Sequence, residues 1–354
     1  MHPTMEEKSK LVRLREHLDK MLAVYVVISI IIGYILGITY SKWTMENSGL
    51  INDLMMASIF IMIFPMMLML NLSGLAKAFK SWKMLVIVLL MNFGWGPLMA
   101  ILLGDLFVSN PLLRLGIFLA WLVPCSSMSI GYVGLMRGNI EAATALVAIT
   151  FIVGIPIIPL FAGWYGSVYH LRVSMSLLII TIIEIIIVPL IIGLALHQYM
   201  VKKMGPEKFK KISPLFPSIT TIGMFLIVFF IFLGHAVLVA THFSQVIGIF
   251  YTAMVFGTIS LIFMTFLLKY LKFDYWDSMA MVFPSIGKNE ATAIAIAATA
   301  FSPFVAIAPA IFPIFQIIFL VTYIKLRPRI AHFYGIRSRD VEFKEFYEHA
   351  AGGK

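Results

Sequence analysis

Two apolar segments of this chain are interrupted by small and polar residues that could do chemistry. The first reads Pro124-Cys125-Ser126-Ser127-Met128-Ser129, and the second reads Pro284-Ser285-Ile286-Gly287-Lys288-Asn289-Glu290. A soft thiol among hydroxyl groups suits a thiophilic solute, and a carboxylate deep in apolar sequence suits a proton carrier. Because paired interrupted helices, one in each half of a chain, indicate a transporter's binding site, we predict helix breaks at Pro124, Pro284 and Gly287.

The composition requires a lipid bilayer as partner. Of 354 residues, 61% are hydrophobic and 12% are charged, and the mean hydropathy is +0.97. Soluble domains are only about 45–50% apolar. The net charge of +10 does not indicate nucleic-acid binding, since the basic residues alternate with apolar runs. The single cysteine excludes an intramolecular disulfide framework and a thiolate-only metal site.

Ten apolar runs have about the 20 residues that a membrane helix needs. The predicted spans are 21–40, 51–73, 83–105, 112–136, 141–163, 174–198, 214–235, 245–270, 278–301 and 303–324. The first is too long for a signal-peptide core and is expected to remain as an anchor. Residues 1–20 and 325–354 are polar terminal segments.

The basic residues orient these spans. Of the 27 lysines and arginines, 23 fall at the termini and in the four loops on the same side, and Lys42, Arg114 and Arg172 fall on the other. The positive-inside rule therefore predicts cytoplasmic termini in the cell membrane. The halves 21–170 and 171–324 start on opposite sides, which predicts two inverted five-helix repeats with broken helices four and nine.

The candidate site residues have alternative roles. A lone Cys125 is often a small buried hydrophobe, but Ser126, Ser127 and Met128 beside it favour solute binding. Glu290 is predicted to couple protons, or else to form a static ion pair with Lys288. Glu184 interrupts the apolar sixth span and is either a second proton-coupling carboxylate or a partner of Lys288. Asn289 lies beside these charges.

Motifs for nucleotide chemistry are missing from the sequence. It contains no Walker motif and no Rossmann glycine pattern, so we expect no cofactor, no enzymatic activity and no transport driven by nucleotide hydrolysis. A signalling bundle would have no need of paired breaks that line a cavity. The sequence therefore favours a secondary transporter and leaves its oligomeric state open.

Several segments resemble a known family. Pro-Cys-Ser-Ser-Met at 124–128 resembles the cysteine-containing fourth span of the arsenical resistance-3 permeases, which export arsenite. Three further segments resemble that family in the same order along the chain: Met62-Ile-Phe-Pro65-Met-Met, Asn92-Phe-Gly-Trp95-Gly-Pro97 and Asn289-Glu290-Ala-Thr-Ala-Ile-Ala.

The resemblance implies a fold and a function. The family belongs to the bile acid/arsenite/riboflavin transporter superfamily, which implies ten helices, crossed broken helices four and nine, and separate panel and core domains. It further implies that Cys125 binds the transported metalloid and that Glu290 is the coupling carboxylate. Arsenite and antimonite are neutral trihydroxides at physiological pH, and members are thought to exchange them for protons.

The alternative is a sodium- or proton-coupled transporter of organic anions from the same superfamily. The sodium-coupled branch has a Glu-x-x-x-Gln-Asn pattern at its span-nine crossing. Here Pro284 takes the glutamate position and Lys288 the glutamine position. A fixed ammonium disfavours sodium binding and could stand in for the missing ion, whereas an anionic substrate could be attracted to it.

Overall fold

The computed structural model describes residues 10–69, 82–125, 128–171 and 174–336, and within these ranges all regular structure is helical. The helices are α1 Lys10–Thr39, α2 Ser41–Glu46, α3 Ser48–Leu68, α4 Trp82–Phe107, α5 Pro111–Leu122, α6 Met128–Leu135, α7 Ile140–Val168, α8 Met175–Met204, α9 Pro206–Ile212, α10 Leu215–Gly234, α11 Ala236–Thr241, α12 Phe243–Tyr270, α13 Tyr275–Ile286, α14 Glu290–Ile296, α15 Ile307–Lys325 and α16 Arg327–Phe333. Single π-helical turns occur at Met91–Trp95 in α4, at Ile183–Ile187 in α8 and at Ala297–Phe301 after α14.

Eight helical segments in the described part of the chain are long and apolar enough to cross a membrane. They are α1, α3, α4, α7, α8, α9 together with α10, α12 and α15. Their outer faces carry exposed apolar side chains such as Ile35, Leu106 and Phe266, which is the surface that lipid requires. The chain is therefore a multi-pass membrane protein.

The predicted fourth and ninth spans each consist of two short helices. In the first pair, α5 ends at Leu122 and α6 begins at Met128. Pro124 lies in the gap as predicted, and it follows Val123, whose backbone is extended. Helix α5 therefore ends just before the predicted break at Pro124.

Of the two residues predicted to break the second span, Gly287 lies where the helix ends and Pro284 does not. Pro284 lies inside α13, which continues to Ile286, and the extended backbone begins at Gly287. Membrane helices tolerate a proline because neighbouring groups satisfy the backbone that it frees. The helix ends only where the Lys288 N–H turns away to a side chain on α15.

Close helix packing builds one side of the molecule. Helix α1 packs on α10, and α10 packs on α3. A Cβ added at Gly33 of α1 would lie 2.5 Å from the Phe229 carbonyl oxygen, and Gly37 lies one turn further against the Leu233 carbonyl. Small residues spaced in this way let membrane helices approach closely.

The other side contains the broken helices. Helix α5 packs against α4, α7 and α15, and α13 packs against α6, α7 and α12. Every residue of α14 and all but two of α13 are buried. The breaks therefore lie inside protein, where non-helical backbone at membrane depth is tolerated.

The terminal segments extend the helical structure. Residues 10–20, predicted as part of a polar N-terminal segment, continue α1 without interruption. The beginning of the predicted C-terminal segment forms the end of α15 and the short helix α16. Residues 1–9 and 337–354 lie outside the described residues.

Candidate functional site

The two breaks meet directly. The Asn289 backbone N–H donates a hydrogen bond of 3.1 Å to the carbonyl oxygen of Pro124. A Cβ added at Gly287 would lie 2.8 Å from the Ser129 hydroxyl, so the start of α6 also touches the second break. Residues far apart in sequence are thereby brought into one buried junction, which we call the crossing.

Gln316 of α15 satisfies the backbone of the second break. Its Oε1 accepts from the Lys288 N–H at 2.5 Å, and its Nε2 donates to the Lys288 carbonyl at 3.2 Å. The Asn289 side chain caps α14 by accepting from the Thr292 N–H at 3.2 Å. Buried backbone groups need such partners, and these contacts fix the course of the chain between α13 and α14.

The Lys288 side chain is enclosed in protein. The residue is 3% exposed, and its Nζ donates to Asn92 Oδ1 at 2.8 Å. The Asn92 Nδ2 in turn donates to the carbonyls of Val88, at 2.9 Å, and Pro284, at 3.0 Å. In a continuous helix the Pro284 carbonyl would accept from the N–H of Lys288, four residues later. Because that N–H bonds to Gln316 instead, the carbonyl is free to accept from Asn92.

Cys125 is buried on one flank of the crossing. It is 1% exposed, and the side chains of Thr150 and Ser129 lie near its thiol, the Thr150 hydroxyl donating to the Leu146 and Val147 carbonyls of its own helix. Ser126 and Ser127, predicted to bind the solute with it, lie outside the described residues. The crossing thus surrounds the thiol with polar groups while closing it from solvent.

Glu290 borders a cavity of about 90 Å³ whose lining does not include Cys125, and we call the part of the crossing that borders this cavity its other flank. It is 7% exposed and lies beside the Gln316 side chain. The cavity is also lined by Asn289, by Met66, Met69, Met128 and Met224, by Thr220 and Thr221, and by Arg15 and Asp19 of α1. At about 10–15 Å³ for each water centre, the space suits several waters or one small solute.

Predicted site residues divide between the two flanks. Glu290, Asn289 and Met128 line the cavity, whereas Cys125 does not. The Asn289 Nδ2 also contacts the Met66 sulfur at 3.4 Å. A solute in the cavity therefore meets the carboxylate and thioethers before it meets the thiol.

Glu184 is not brought to the crossing. It lies on the π turn of α8 and is exposed, whereas Lys288 is buried. Lys288 donates to the neutral Asn92 and forms no ion pair with Glu184 or with Glu290. The direct contact of the Lys288 ammonium is therefore an amide oxygen, while Glu290 borders the same small space as Lys288.

No sequence pattern indicated a role for Asn92 or Gln316. Asn92 appeared only as part of a resemblance, and Gln316 was not singled out. The available signal was an amide side chain within an apolar span, since buried polar groups at membrane depth need a partner or a function. Asn92 also lies in a π turn, a feature frequent at functional sites.

Comparisons with known proteins agree with a transporter. The chain is 23% identical over 248 residues to the arsenical-resistance protein Acr3 of Alkaliphilus metalliredigens (strain QYMF). The aligned region covers 63% of this chain and 67% of that protein. It is 21% identical over 251 residues to the uncharacterized transporter slr0944 of Synechocystis sp. (strain ATCC 27184 / PCC 6803 / Kazusa). This second aligned region covers 62% of this chain and 64% of that protein.

These similarities confirm the resemblance to arsenical-resistance permeases. The model of the Sodium Bile acid symporter family matches residues 56–242, which is more than half of the chain. The matched range includes the first break with Cys125 and ends before the second break with Glu290. The chain belongs to the sodium bile acid symporter family.

Proposed function

We propose that the protein is a secondary active transporter that exports arsenite or antimonite from the cytoplasm in exchange for protons. The observation that carries the proposal is the meeting of the two breaks through Asn289 and Pro124. It sets a thiol and a carboxylate on the two flanks of one buried junction. Similarity to an arsenical-resistance protein supports the choice of solute.

The proposed topology has ten crossings in the cell membrane. The eight long spans and the two pairs α5–α6 and α13–α14 together account for ten. The excess of basic residues on one side supports cytoplasmic termini. With residues 21–170 and 171–324 as inverted five-helix repeats, the two broken pairs occupy equivalent places.

Cys125 would bind the metalloid reversibly. The thiol replaces one hydroxyl of the trihydroxide: an As–O bond breaks, an As–S bond forms, and the thiol proton leaves with the hydroxide as water. Arsenic(III) and antimony(III) are soft centres that favour sulfur. One thiolate bond permits release, and the hydroxyls near Cys125 can replace the water that the solute loses.

Glu290 would couple this binding to protons. Its carboxylate borders the cavity and can exchange protons with water there. Coupling requires that proton and solute favour different conformations. A deprotonated Glu290 favours the conformation that takes the solute from the cytoplasm, and protonation from outside returns the carrier.

Everted membrane vesicles test the proposal. We expect arsenite accumulation driven by an acidic lumen in wild type, its loss in Cys125→Ser, and loss of the response to the pH gradient in Glu290→Gln. Glu184→Gln is the matched carboxylate control, because Glu184 is exposed and lies away from the crossing. Each variant is compared at equal protein level in the membrane.

Two results would reject this proposal. If correctly inserted wild type accumulates no arsenite, arsenite is not the transported solute. If Glu290→Gln retains full pH-driven accumulation, Glu290 is not the coupling residue.

Transport of organic anions is the second candidate function, and Arg15 favours it. This residue, whose guanidinium pairs with Asp19 at 3.4 Å, lines the cavity that Glu290 borders, and a guanidinium beside apolar thioethers suits an amphipathic anion. The same vesicles, supplied with a labelled bile-acid-type anion under a sodium or proton gradient, separate the two functions. Uptake of the anion that is lost in Arg15→Ala, together with no arsenite uptake, would establish the second function.

A further inference from the structure

The Lys288 ammonium lies where two half-helices end. Helix α5 ends at Leu122 and α13 ends at Ile286, and both C-termini point into the crossing. The last carbonyls of a helix have no partner within it. They carry about half a negative charge at each helix C-terminus, so the two ends together offset about one positive charge.

Groups at both helix ends lie near the ammonium group. Lys288 Nζ donates to Asn92 Oδ1 at 2.8 Å, and the same amide holds the Pro284 carbonyl in the last turn of α13. On the side of α5, a Cβ added at Gly96 would lie 3.4 Å from Lys288 Nζ and 2.5 Å from the Trp121 carbonyl oxygen. Gly96 thus leaves the gap between the ammonium and this carbonyl unfilled by a side chain.

A small space adjoins this group. It measures about 10 Å³ and is lined by Lys288, Glu290, Gln316 and Trp121, among others. This is close to the roughly 10–15 Å³ that one water needs. The surroundings therefore combine helix C-termini, amide and carbonyl oxygens, and room for one water.

This is the environment in which transporters of broken-helix design hold a monovalent cation. Unwound carbonyls and half-helix C-termini bind sodium in such proteins, because hard cations select oxygen ligands. Here the positive charge is covalently attached to the chain. The Gln316 side chain holds the Lys288 backbone by two hydrogen bonds, so the ammonium cannot leave during a transport cycle.

We propose that the Lys288 ammonium is a tethered substitute for a bound sodium ion. It stabilises the crossing permanently, so that the protein needs no sodium for stability or transport. Removing the side chain converts the same oxygen atoms into a binding site for sodium. The proposal does not depend on which solute is carried.

The experiment measures the melting temperature of purified, full-length protein in sodium chloride and in choline chloride at equal ionic strength. For wild type we expect the same melting temperature in both salts. For Lys288→Ala, which removes the charge and opens space, we expect a lower melting temperature in choline and a saturable rise of several degrees with sodium. A ligand that binds only the folded state stabilises it in this saturable way.

Lys288→Met is the matched control. It removes the charge but fills the space with an apolar chain of similar length, so sodium should not restore its stability. If Lys288→Ala does not fold in either salt, Lys288→Gln carries the same test with a shorter polar side chain.

Two results would overturn the proposal. One is a saturable sodium stabilisation of wild type equal to that of the variant. The other is a folded Lys288→Ala or Lys288→Gln whose stability is the same in sodium and choline. Neither result bears on arsenite accumulation in vesicles, so the failure of this inference is distinguishable from that of the proposed function.

Discussion

Asn92→Ala removes the direct partner of the buried Lys288 ammonium. The bond from Lys288 Nζ to Asn92 Oδ1 is lost, and so is the bond from Asn92 Nδ2 to the Pro284 carbonyl. A hydrogen bond to a charged group contributes about 1.5–3 kcal/mol, and an unsatisfied buried acceptor costs about 1–3 kcal/mol. Since removing one partner of a buried charge typically costs about 3–5 kcal/mol, we expect a loss of that size in the free energy of unfolding.

A double-mutant cycle isolates the contact between ammonium and amide. Lys288→Met removes the charge, so the combined variant should lose less stability than the sum of the two single variants. We expect a coupling free energy of about 1.5–3 kcal/mol. At about 1.4 kcal/mol for each factor of ten, this equals roughly a 10- to 150-fold effect on the population of opened protein.

The chain contains its own reporter for this assay. Cys125 is its single cysteine and is 1% exposed, so a thiol-reactive dye labels it only when the protein opens. If the protein opens and closes faster than the dye reacts, the labelling rate is proportional to the equilibrium population of the open form. The cycle can therefore be measured as labelling rates in mild detergent.

Asn47→Ala is the control for the loss of an asparagine. The Asn47 Nδ2 donates to the Trp43 carbonyl four residues earlier at 2.9 Å, as Asn92 does to Val88, but Asn47 is half-buried and its hydrogen bond is exposed. Its replacement should change stability by no more than about 0.5 kcal/mol. Strictly additive effects of Asn92→Ala and Lys288→Met would refute the reasoning, because the ammonium and the amide would then contribute independently.

Two further substitutions test the packing of the crossing. Gly96→Ala places a Cβ 2.5 Å from the Trp121 carbonyl oxygen, whereas nothing lies within 4 Å of a Cβ at Gly94. We expect Gly96→Ala to abolish solute transport and lower the melting temperature. The control Gly94→Ala should change neither. Gln316→Leu removes both hydrogen bonds to the Lys288 backbone. It leaves two buried backbone groups without these partners and should cost about 2–6 kcal/mol, at roughly 1–3 kcal/mol for each group. Unchanged Cys125 labelling in Gln316→Leu would show that these bonds do not hold the second break.

Sequence patterns predicted the long membrane spans well because each of them is a continuous apolar run in the sequence. The broken spans were recognisable because polar residues at membrane depth are rare. Which of the two predicted residues, Pro284 or Gly287, ends the helix could not be predicted, since a proline can end a helix or be tolerated inside it. Which happens at Pro284 depends on Asn92 and Gln316, which come from other helices.

The roles of Asn92 and Gln316 lay beyond the sequence for a related reason. Each acts through partners far away in the chain, so neither forms a local pattern. The same limit applies to Lys288, for which charge alone favoured a carboxylate partner. The fold instead brings an amide to the ammonium, and the exposed Glu184 stays outside the crossing.

The position of Cys125 behind the crossing bears on how a transport cycle could run. The cavity reaches Glu290 and Asn289 but not the thiol. Among the contacts that join the two breaks is the hydrogen bond from the Asn289 N–H to the Pro124 carbonyl. A net contribution of about 0.5–1.5 kcal/mol for such a bond is small enough to be given up when α13–α14 shifts against α5–α6. A movement that opens the thiol to the cavity must change this contact next to Glu290. In the proposed exchange cycle, this contact would link the protonation state of that carboxylate to access to the thiol, as exchange of a solute for a proton requires.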